Sequence, residues 1–249
     1  MKAVILAGGM GTRLKPYTIT LPKPLVPVAG EPIMKYLLKN LKRQGVKEVF
    51  ICVSHMGDLI SAYFGDGSEQ GIKINYSYEN KPLGTVAPIK LIKDLPEDFI
   101  VINGDVLTDL SIKKLFEDHK KSGAILTVGT YQRKEKIDYG VLEFGSDKII
   151  NKFVEKPKYI FDVSMGVYIF NKKVFDYVPD NEHFGFDNLM EVLLENGEKI
   201  QAYPHDGYWM DIGRPEDYEQ ANIDMLEHLA KVENTAEKDA KHGLEDTFI

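Results

Sequence analysis

The sequence predicts an α/β fold with three layers, in which helices cover both faces of a mostly parallel sheet. Residues 2–7 form an apolar run closed by glycines, which is typical of a central parallel strand buried on both faces. Strand-like and helix-like segments then alternate through residue 121, and repeated β-then-α units imply parallel pairing. A chain of 249 residues is long enough to form such a sheet as one domain.

The first half of the chain carries the regular alternation. Its clearest helix covers residues 32–44, where apolar side chains recur at helical spacing and Gly45 follows as a stop. The other predicted helices cover residues 58–64, 86–94 and 112–121, and the predicted strands cover residues 2–7, 48–53, 72–78 and 99–102.

The second half differs in composition and spacing, since it contains short segments rich in β-branched and aromatic residues. These segments, residues 124–131, 140–144, 149–155 and 165–170, predict a smaller and partly antiparallel lobe. A helix at 187–195, a strand at 200–203 and a helix at 215–229 complete the prediction. The absence of a Pro/Ser/Gly-rich linker favours one domain over residues 1–230. Residues 231–249 are mostly polar and charged, which predicts a mobile tail or a loosely attached helix.

Composition excludes several classes of function. A formal net charge of −7 and a pI near 5.5 disfavour nucleic acid as a partner, because phosphate backbones attract positive charge. The single cysteine, Cys52, allows neither an internal disulfide nor a cysteine cluster for zinc. No apolar run approaches the ~20 residues that span a bilayer, so no membrane partner is predicted. The N-terminal run lacks a signal-cleavage pattern, which favours a buried strand in a cytoplasmic enzyme.

A glycine-rich loop, Gly8-Gly9-Met10-Gly11, leaves the first predicted strand. Glycines allow backbone N–H groups to approach an anion closely. The loop is not a dinucleotide fingerprint, since the third glycine of that motif would fall on Leu14, and no Gly-Lys-Ser/Thr follows to make a Walker A loop. A tight turn between strand and helix remains the simpler alternative for this loop.

The charge around the loop favours a polyphosphate ligand. The first 30 residues contain four basic side chains, Lys2, Arg13, Lys15 and Lys23, and no acidic one. A unit positive charge about 4 Å from a phosphate contributes about 4 kcal/mol of attraction at an effective dielectric constant of about 20. Prolines flank Lys23 and stiffen the chain there, although a solvated surface lysine is the alternative.

Two aspartates are candidates for a metal site. Asp105 follows the strand predicted at 99–102, at the carboxyl edge where open α/β sheets place ligands, and Asp211 follows the only tryptophan in another short strand-like run. Magnesium prefers one or two carboxylates, with water and phosphate completing its shell. Either aspartate alone would be more typical of a helix cap or a turn.

The segments LAGGMGTRLKPYT and PKPLVPVAGEPIM closely resemble the two-part nucleotide-binding signature of sugar-1-phosphate nucleotidylyltransferases. The resemblance covers roughly residues 1–225 and continues through Gly104-Asp105, Tyr139-Gly140-Val141, Glu155-Lys156-Pro157, Met165-Gly166-Val167-Tyr168 and Trp209-Met210-Asp211-Ile212-Gly213. It implies a Rossmann-like (GT-A-like) sheet with a smaller sugar-binding lobe. The catalytic domain would then comprise a nucleotide-binding half, residues 1–122, and a sugar-phosphate-binding half, residues 123–230.

The resemblance also implies roles for individual residues. Arg13 and Lys23 would be catalytic, and Asp105 and Asp211 would hold Mg²⁺, the one cofactor expected. The residues implied in nucleotide binding are Leu6, Ala7, Gly8, Gly9, Gly11, Thr12, Glu79, Pro82, Gly84, Thr85 and Gly104. Those implied in sugar-phosphate binding are Gly140, Glu155, Lys156 and Gly166.

The base is indicated by residues 79–88, ENKPLGTVAP, which are similar to the E-x-x-P-L-G-T-A-G-P run of mannose- and heptose-1-phosphate guanylyltransferases. This similarity favours GTP, with Glu79 accepting from the exocyclic amine of guanine. Thymidylyl- and uridylyltransferases carry close variants of the same loop, so these activities and a cytidylyltransferase, acting on glucose 1-phosphate or an amino-sugar phosphate, remain alternatives.

The reaction so predicted is in-line attack of a sugar-1-phosphate oxygen on the α-phosphorus of a nucleoside triphosphate, with pyrophosphate leaving. Because the nucleophile is already an anion, positioning and charge neutralisation suffice and no histidine base is needed. A non-catalytic nucleotide-sugar-binding regulatory module is the alternative of another class, and it would lack the metal pair. The expected partners are these small molecules, and a homo-oligomer is left open.

Overall fold

The structure, a computed structural model, describes residues 1–239. The strands are β1 (Lys2–Leu6), β2 (Pro27–Val28), β3 (Glu31–Pro32), β4 (Glu48–Val53), β5 (Lys73–Tyr78), β6 (Asp98–Asn103), β7 (Val106–Thr108), β8 (Leu126–Lys136), β9 (Val141–Phe144), β10 (Ile150–Val154), β11 (Lys158–Asn171), β12 (Ile200–His205) and β13 (Trp209–Asp211). The helices are α1 (Ile33–Arg43), α2 (Gly57–Phe64), α3 (Ala87–Lys90), α4 (Ile112–Ser122), α5 (Phe186–Glu195) and α6 (Pro215–Asp239).

Seven strands form the central sheet in the order β12-β8-β11-β6-β1-β4-β5. Neighbouring strands are parallel except at β11, which runs antiparallel to both β6 and β8. The prediction of a mostly parallel sheet with an antiparallel extension is therefore confirmed. Three two-stranded sheets accompany it, pairing β2 with β3, β7 with β13, and β9 with β10.

Each face of the sheet is covered by its own apolar layer. In β1, Ala3 and Ile5 pack into one layer with α1, α2 and α4, whereas Val4 between them packs into the other with α3 and α5. All three side chains are fully buried. Successive side chains of a strand point to opposite faces, so a strand covered on both sides needs a continuous apolar run. The run at residues 2–7 predicted this arrangement.

Several boundaries differ from the sequence prediction. The helix predicted at 86–94 ends at Lys90, and the buried Ile92 and Leu95 lie in the irregular segment that follows it. The strands predicted at 124–131 and 165–170 are much longer, and their outer parts pair from Lys158 opposite Lys136 to Ser164 opposite Thr130. Charged residues interrupt the apolar pattern in these outer parts, so sequence periodicity did not reveal them.

The long strands β8 and β11, with the β9–β10 hairpin between them, make an arm over residues 132–163 that is almost entirely exposed. In the second half of the chain, the helix predicted at 215–229 continues to Asp239, so the segment predicted as a mobile tail or a loosely attached helix begins as helix. Its last residues, 240–249, lie outside the described part. Within residues 1–239, none of the helices is long and apolar enough to cross a bilayer.

Candidate active site

A cavity of about 740 Å³ opens at the carboxyl ends of β1, β4 and β6. Ligands of open α/β sheets bind at this edge. Its walls include all the residues predicted to bind the nucleotide, together with Arg13, Lys23 and Asp105. Ser54, His55, His183 and Asn103 also line the cavity, although the sequence prediction gave none of them a role, and so do Asn80 and Lys81 of the loop predicted to indicate the base.

The glycine loop forms one wall of this cavity. Gly11 adopts a left-handed φ of +61°, and a Cβ there would lie 2.9 Å from the methyl group of Thr18, so the turn requires glycine. At Gly8, a Cβ would lie 3.2 Å from Glu79 Oε1 and 3.3 Å from Ser54 Oγ. The Ser54 hydroxyl donates to the Gly8 carbonyl at 2.7 Å and fixes this part of the loop.

Gly9 differs from these two glycines. Its φ lies outside the left-handed range, and a Cβ built on it would meet no atom within 4 Å. Neither backbone conformation nor packing within residues 1–239 therefore demands a glycine at this position. Close approach of a ligand to the backbone is the remaining physical reason for a missing side chain at the cavity wall.

The two predicted metal ligands come together at the end of this cavity. Asp105 precedes β7, Asp211 ends β13, and these two short strands pair with Asp211 opposite Val106. Lys23 Nζ makes an ion pair with Asp105 Oδ2. Burial and the charge of Asp105 raise the pKa of Asp211 well above its usual range, against the opposing effects of Lys23 and Arg13. Arg13 also lies near Asp211. A Cβ built on Gly213 would lie 3.4 Å from Asp211 Oδ2 and 3.5 Å from both terminal nitrogens of the Arg13 guanidinium.

The carboxylate pair fits a divalent cation. Asp105 Oδ1 is buried and has no hydrogen-bond partner, so one oxygen of the pair is available for a further ligand. In the described residues there is no group of three or more His, Cys, Asp or Glu that could hold a metal. Two carboxylates beside a cavity lined by basic side chains suit Mg²⁺, which keeps water and phosphate as its other ligands, better than they suit zinc.

Gly166 contacts the cavity indirectly. It has a φ of +72°, and a Cβ there would lie 2.5 Å from Nδ2 of Asn103, a cavity residue. The glycine therefore makes room for the Asn103 side chain. Asn103 ends β6 two residues before Asp105, and the rule that ligands bind at strand ends would have identified it from the sequence.

The remaining predicted sugar-phosphate residues, Gly140, Glu155 and Lys156, lie on the exposed arm. Gly140 and Glu155 adjoin each other, since Glu155 Oε2 lies 3.2 Å from the Cβ position of Gly140. The part of the chain that the structure describes places no arm residue in the wall of the cavity. Their role in sugar-phosphate binding stays a prediction.

Cys52 lines the floor of the cavity but is not a nucleophile. Its side chain is buried, and burial, with a smaller effect from the charge of Glu79, raises the pKa of the thiol to about 12. A thiol rather than a thiolate is therefore present near neutral pH. The cavity wall thus combines a glycine-rich loop, basic side chains that include Arg13 and Lys23, and the carboxylate of Asp105, which interacts with that of Asp211.

Comparison with known proteins agrees with this geometry. The family model described as "Nucleotidyl transferase" matches residues 2–228. The chain is 34% identical to a UTP–glucose-1-phosphate uridylyltransferase of Synechocystis sp., over 93% of this chain and 65% of that protein. It is 33% identical to the mannose-1-phosphate guanyltransferase of Saccharomyces cerevisiae, over 93% and 66% respectively. The chain thus spans about two-thirds of the length of these curated relatives.

Among solved structures, HddC from Yersinia pseudotuberculosis is similar with a TM-score of 0.71 and 32% identity, over 90% of this chain and 99% of that one. The same protein complexed with GMP-PN gives a TM-score of 0.70 at 31% identity, with the same coverage of both chains. Given a family model that matches nearly the whole described chain, the protein belongs to the nucleotidyl transferase family.

Proposed function

We propose that this chain is a sugar-1-phosphate nucleotidylyltransferase that condenses a nucleoside triphosphate, GTP in preference, with a sugar 1-phosphate. The products are a nucleoside-diphosphate sugar and pyrophosphate. The observation that carries the proposal is the convergence of Arg13, Lys23, Asp105 and Asp211 at one end of a glycine-walled cavity. The names of the similar proteins, which include guanyl- and uridylyltransferases, agree with it.

The glycine loop and the basic side chains bind the triphosphate in this proposal. Backbone N–H groups of the loop donate to phosphate oxygens, and Gly9 allows the closest approach because no Cβ intervenes. Arg13 and Lys23 neutralise charge that develops on the leaving pyrophosphate and on the α-phosphate. Their positive charges need no rearrangement during the reaction, which is the main source of catalysis in phosphoryl transfer.

Asp105 and Asp211 hold Mg²⁺ in the proposed enzyme. When bound, the cation would supply charge neutralisation for the phosphates of the substrate. The buried Asp105 Oδ1 provides a ligand atom with no competing protein donor, and Lys23 occupies the other oxygen. The adjacency of the two carboxylates also argues against the non-catalytic binding module, which needs no such pair.

The sugar 1-phosphate enters from the arm side in this proposal. Gly166 positions Asn103 next to Asp105, and Gly140, Glu155 and Lys156 on the arm supply contacts to the sugar and its phosphate. These three residues are exposed and lie outside the cavity wall, so the sugar phosphate has to extend beyond the cavity, or the arm has to approach it, for the contacts to form. Alanine variants of Glu155 and Lys156 should raise KM for the sugar phosphate and leave KM for the nucleotide unchanged.

The preference for guanine rests on the loop at residues 79–88 and on Glu79. One carboxylate oxygen of Glu79 accepts from the Leu83 amide at 2.9 Å, and the other faces the cavity wall at Gly8. In this proposal, that second oxygen accepts from a base amine. HddC complexed with GMP-PN is a similar structure, whereas the Synechocystis relative carries a uridylyl name, so uridylyl transfer is the second candidate.

A pyrophosphate-release panel tests the proposal. It crosses GTP, UTP, dTTP, CTP and ATP with mannose-, glucose-, glucosamine- and heptose-1-phosphates in the presence of Mg²⁺. We expect one nucleotide to dominate, with GTP first, and no release when Mg²⁺ is chelated. Silence across the panel would favour the regulatory module, and release with UTP alone would replace guanylyl by uridylyl transfer.

Assembly and location complete the proposal. Residues 1–230 act as the catalytic domain in the cytoplasm, where nucleoside triphosphates are made available. The hairpin exposes an apolar face in which Leu142 lies opposite Phe153 and Phe144 opposite Ile150, each 47–63% exposed. These side chains offer roughly 400 Å² of apolar surface, about half of what each partner buries in a standard interface. We propose a homodimer through this face, and Phe144→Lys should convert a dimer to a monomer in light scattering.

A further inference from the structure

The loop that carries Glu79 is joined to a distant segment just before α5. The Phe184 amide donates to the Leu83 carbonyl at 2.8 Å, and the amides of Val86 and Ala87 donate back to the Phe184 carbonyl at 3.0 and 3.2 Å. The Phe186 amide donates to Thr85 Oγ1 at 2.9 Å. About 100 residues separate the two partners in the sequence, and the loop therefore depends on the second half of the chain for its shape.

Gly84 makes this close approach sterically feasible. It has a φ of +88°, and a Cβ at this position would lie 2.7 Å from the Phe184 carbonyl oxygen. On the other side of the contact, the side chains of Phe184 and Phe186 pack against the core layer that contains α3 and α5. The segment at residues 183–186 is thus anchored to the core while its backbone clamps the loop.

His183 is the residue that this clamp presents to the cavity. It immediately precedes Phe184, is exposed, and lines the same cavity as Glu79, Gly84 and Thr85. Glu79 is itself bonded to Leu83, and Leu83 to Phe184, so two hydrogen bonds connect Glu79 to the backbone beside His183. The Glu79 carboxylate and the His183 imidazole therefore line the same cavity, on two segments that hydrogen bonds hold together.

We infer that His183 is a specificity-determining residue that contacts the base of the bound nucleotide. This inference rests on the proposed function in that it takes a nucleoside triphosphate as the ligand. Guanine offers O6 and N7 as acceptors and separate N–H donors. Glu79 suits the donors, and an imidazole N–H suits the acceptors. Uracil and thymine lack this arrangement, so the pair discriminates among bases.

The test measures base discrimination in wild type, His183→Ala and His183→Gln, with Glu182→Ala as the matched control. Glu182 is the exposed neighbour and does not line the cavity. Binding of GTP, UTP and dTTP with Mg²⁺ is measured by calorimetry, and kcat/KM by pyrophosphate release. His183→Ala should reduce the discrimination between the preferred and the next nucleotide at least tenfold, through KM rather than kcat. His183→Gln keeps an N–H donor and should retain part of the discrimination that His183→Ala loses.

Hydrogen exchange provides a second readout that does not require turnover. A non-hydrolysable analogue of the preferred nucleotide should slow exchange in the peptide that covers residues 180–187, as well as in the loop at 79–87. If the wild type binds and discriminates nucleotides but His183→Ala discriminates equally well, the inference falls while the proposed function stands. If the wild type binds no nucleotide, both fall. Turnover with UTP in place of GTP would overturn the guanine preference and, with it, the inference that His183 recognises guanine, while nucleotidyl transfer itself would stand.

Discussion

Lys23 and Asp105 form an ion pair that links the basic N-terminal segment to the edge of the central sheet. Both side chains are largely buried, with 12% and 19% of their surface exposed. The pair uses Oδ2 of Asp105 and leaves Oδ1 buried without a partner. One carboxylate is thus positioned by a lysine while its second oxygen remains available for a cation.

Removing positive charge from this site should abolish most of the activity. Arg13→Ala and Lys23→Ala should each lower kcat by about 10²-fold or more, because loss of one preorganised electrostatic group typically costs about 3 kcal/mol. Steady-state pyrophosphate release measures the effect. Lys15→Ala is the control, since it removes the same charge from the same segment but lies outside the cavity wall. Equal rates in all three variants would contradict the assignment.

Asp105→Asn should weaken the response to Mg²⁺ as well as turnover. The amide keeps the size of the side chain but removes the negative charge that would bind the proposed cation. We expect kcat to fall by about 10²-fold or more, and the Mg²⁺ concentration for half-maximal rate to rise. Asp109→Asn is a matched control, because Asp109 bonds to His205 and Tyr208 away from the cavity. A similar Mg²⁺ dependence in both variants would exclude Asp105 as a ligand.

Alanine substitutions at two glycines of the loop should have different effects, one on nucleotide binding and the other on stability. Gly9→Ala has open space and an ordinary backbone conformation, so its Tm should stay close to wild type while KM for the nucleotide rises about tenfold or more. Gly11→Ala forces a side chain into a left-handed conformation beside Thr18 and should cost about 1–2 kcal/mol of stability. Thermal melts and nucleotide titrations measure the two effects. A Gly9→Ala enzyme with unchanged KM would show that the backbone at this position does not contact the ligand.

The buried thiol of Cys52 should be inert in the native protein. Because burial raises its pKa to about 12, very little thiolate is present at pH 8. A disulfide reagent such as DTNB should therefore react slowly with native protein and at once with protein unfolded in guanidinium. Fast labelling of the native state, at the rate of a free thiol, would contradict this burial.

His119 should make stability depend on pH below neutrality. The side chain is buried, its Nδ1 lies 2.8 Å from Thr127 Oγ1, and burial lowers its pKa below the ordinary value of 6.5. Asp98, at 3.4 Å from Nε2, acts in the opposite direction, and Lys120 adds to the lowering. The unfolded chain then binds the proton more readily, so the stability contribution is complete above about pH 6.5 and is lost as pH falls through the folded pKa.

Denaturant unfolding at several pH values between 7.5 and 5 measures this loss. His119→Gln keeps a polar side chain that can bond to Thr127 but does not titrate, and its stability should vary less over the same range. His205→Gln serves as the control, because it removes a second histidine, one that bonds to Asp109 in another part of the fold. A pH dependence in His119→Gln as steep as in wild type would assign the effect to other groups.

Local patterns in the sequence predicted much of this molecule. The strand at 48–53 has the predicted bounds, and α1 lies within one residue of its prediction, because burial on two faces and helical spacing leave clear local signatures. The glycine loop and the loop at 79–88 border the cavity because each directly follows a strand end at the same edge of the parallel sheet, and Lys23 reaches that edge through its ion pair with Asp105.

The long-range relationships came from the folded chain. The pairing of β7 with β13 brings Asp211 to Asp105, and two short strands about 100 residues apart carry no local signal for each other. Likewise, His183 joins the cavity only because the Phe184 backbone pairs with the loop around Gly84. Side-chain periodicity and turn chemistry depend on neighbours within a few residues, whereas hydrogen bonds between distant segments depend on the packing of the whole sheet. The individual segments of the site could therefore be predicted from the sequence, whereas their contacts with one another depend on the tertiary fold.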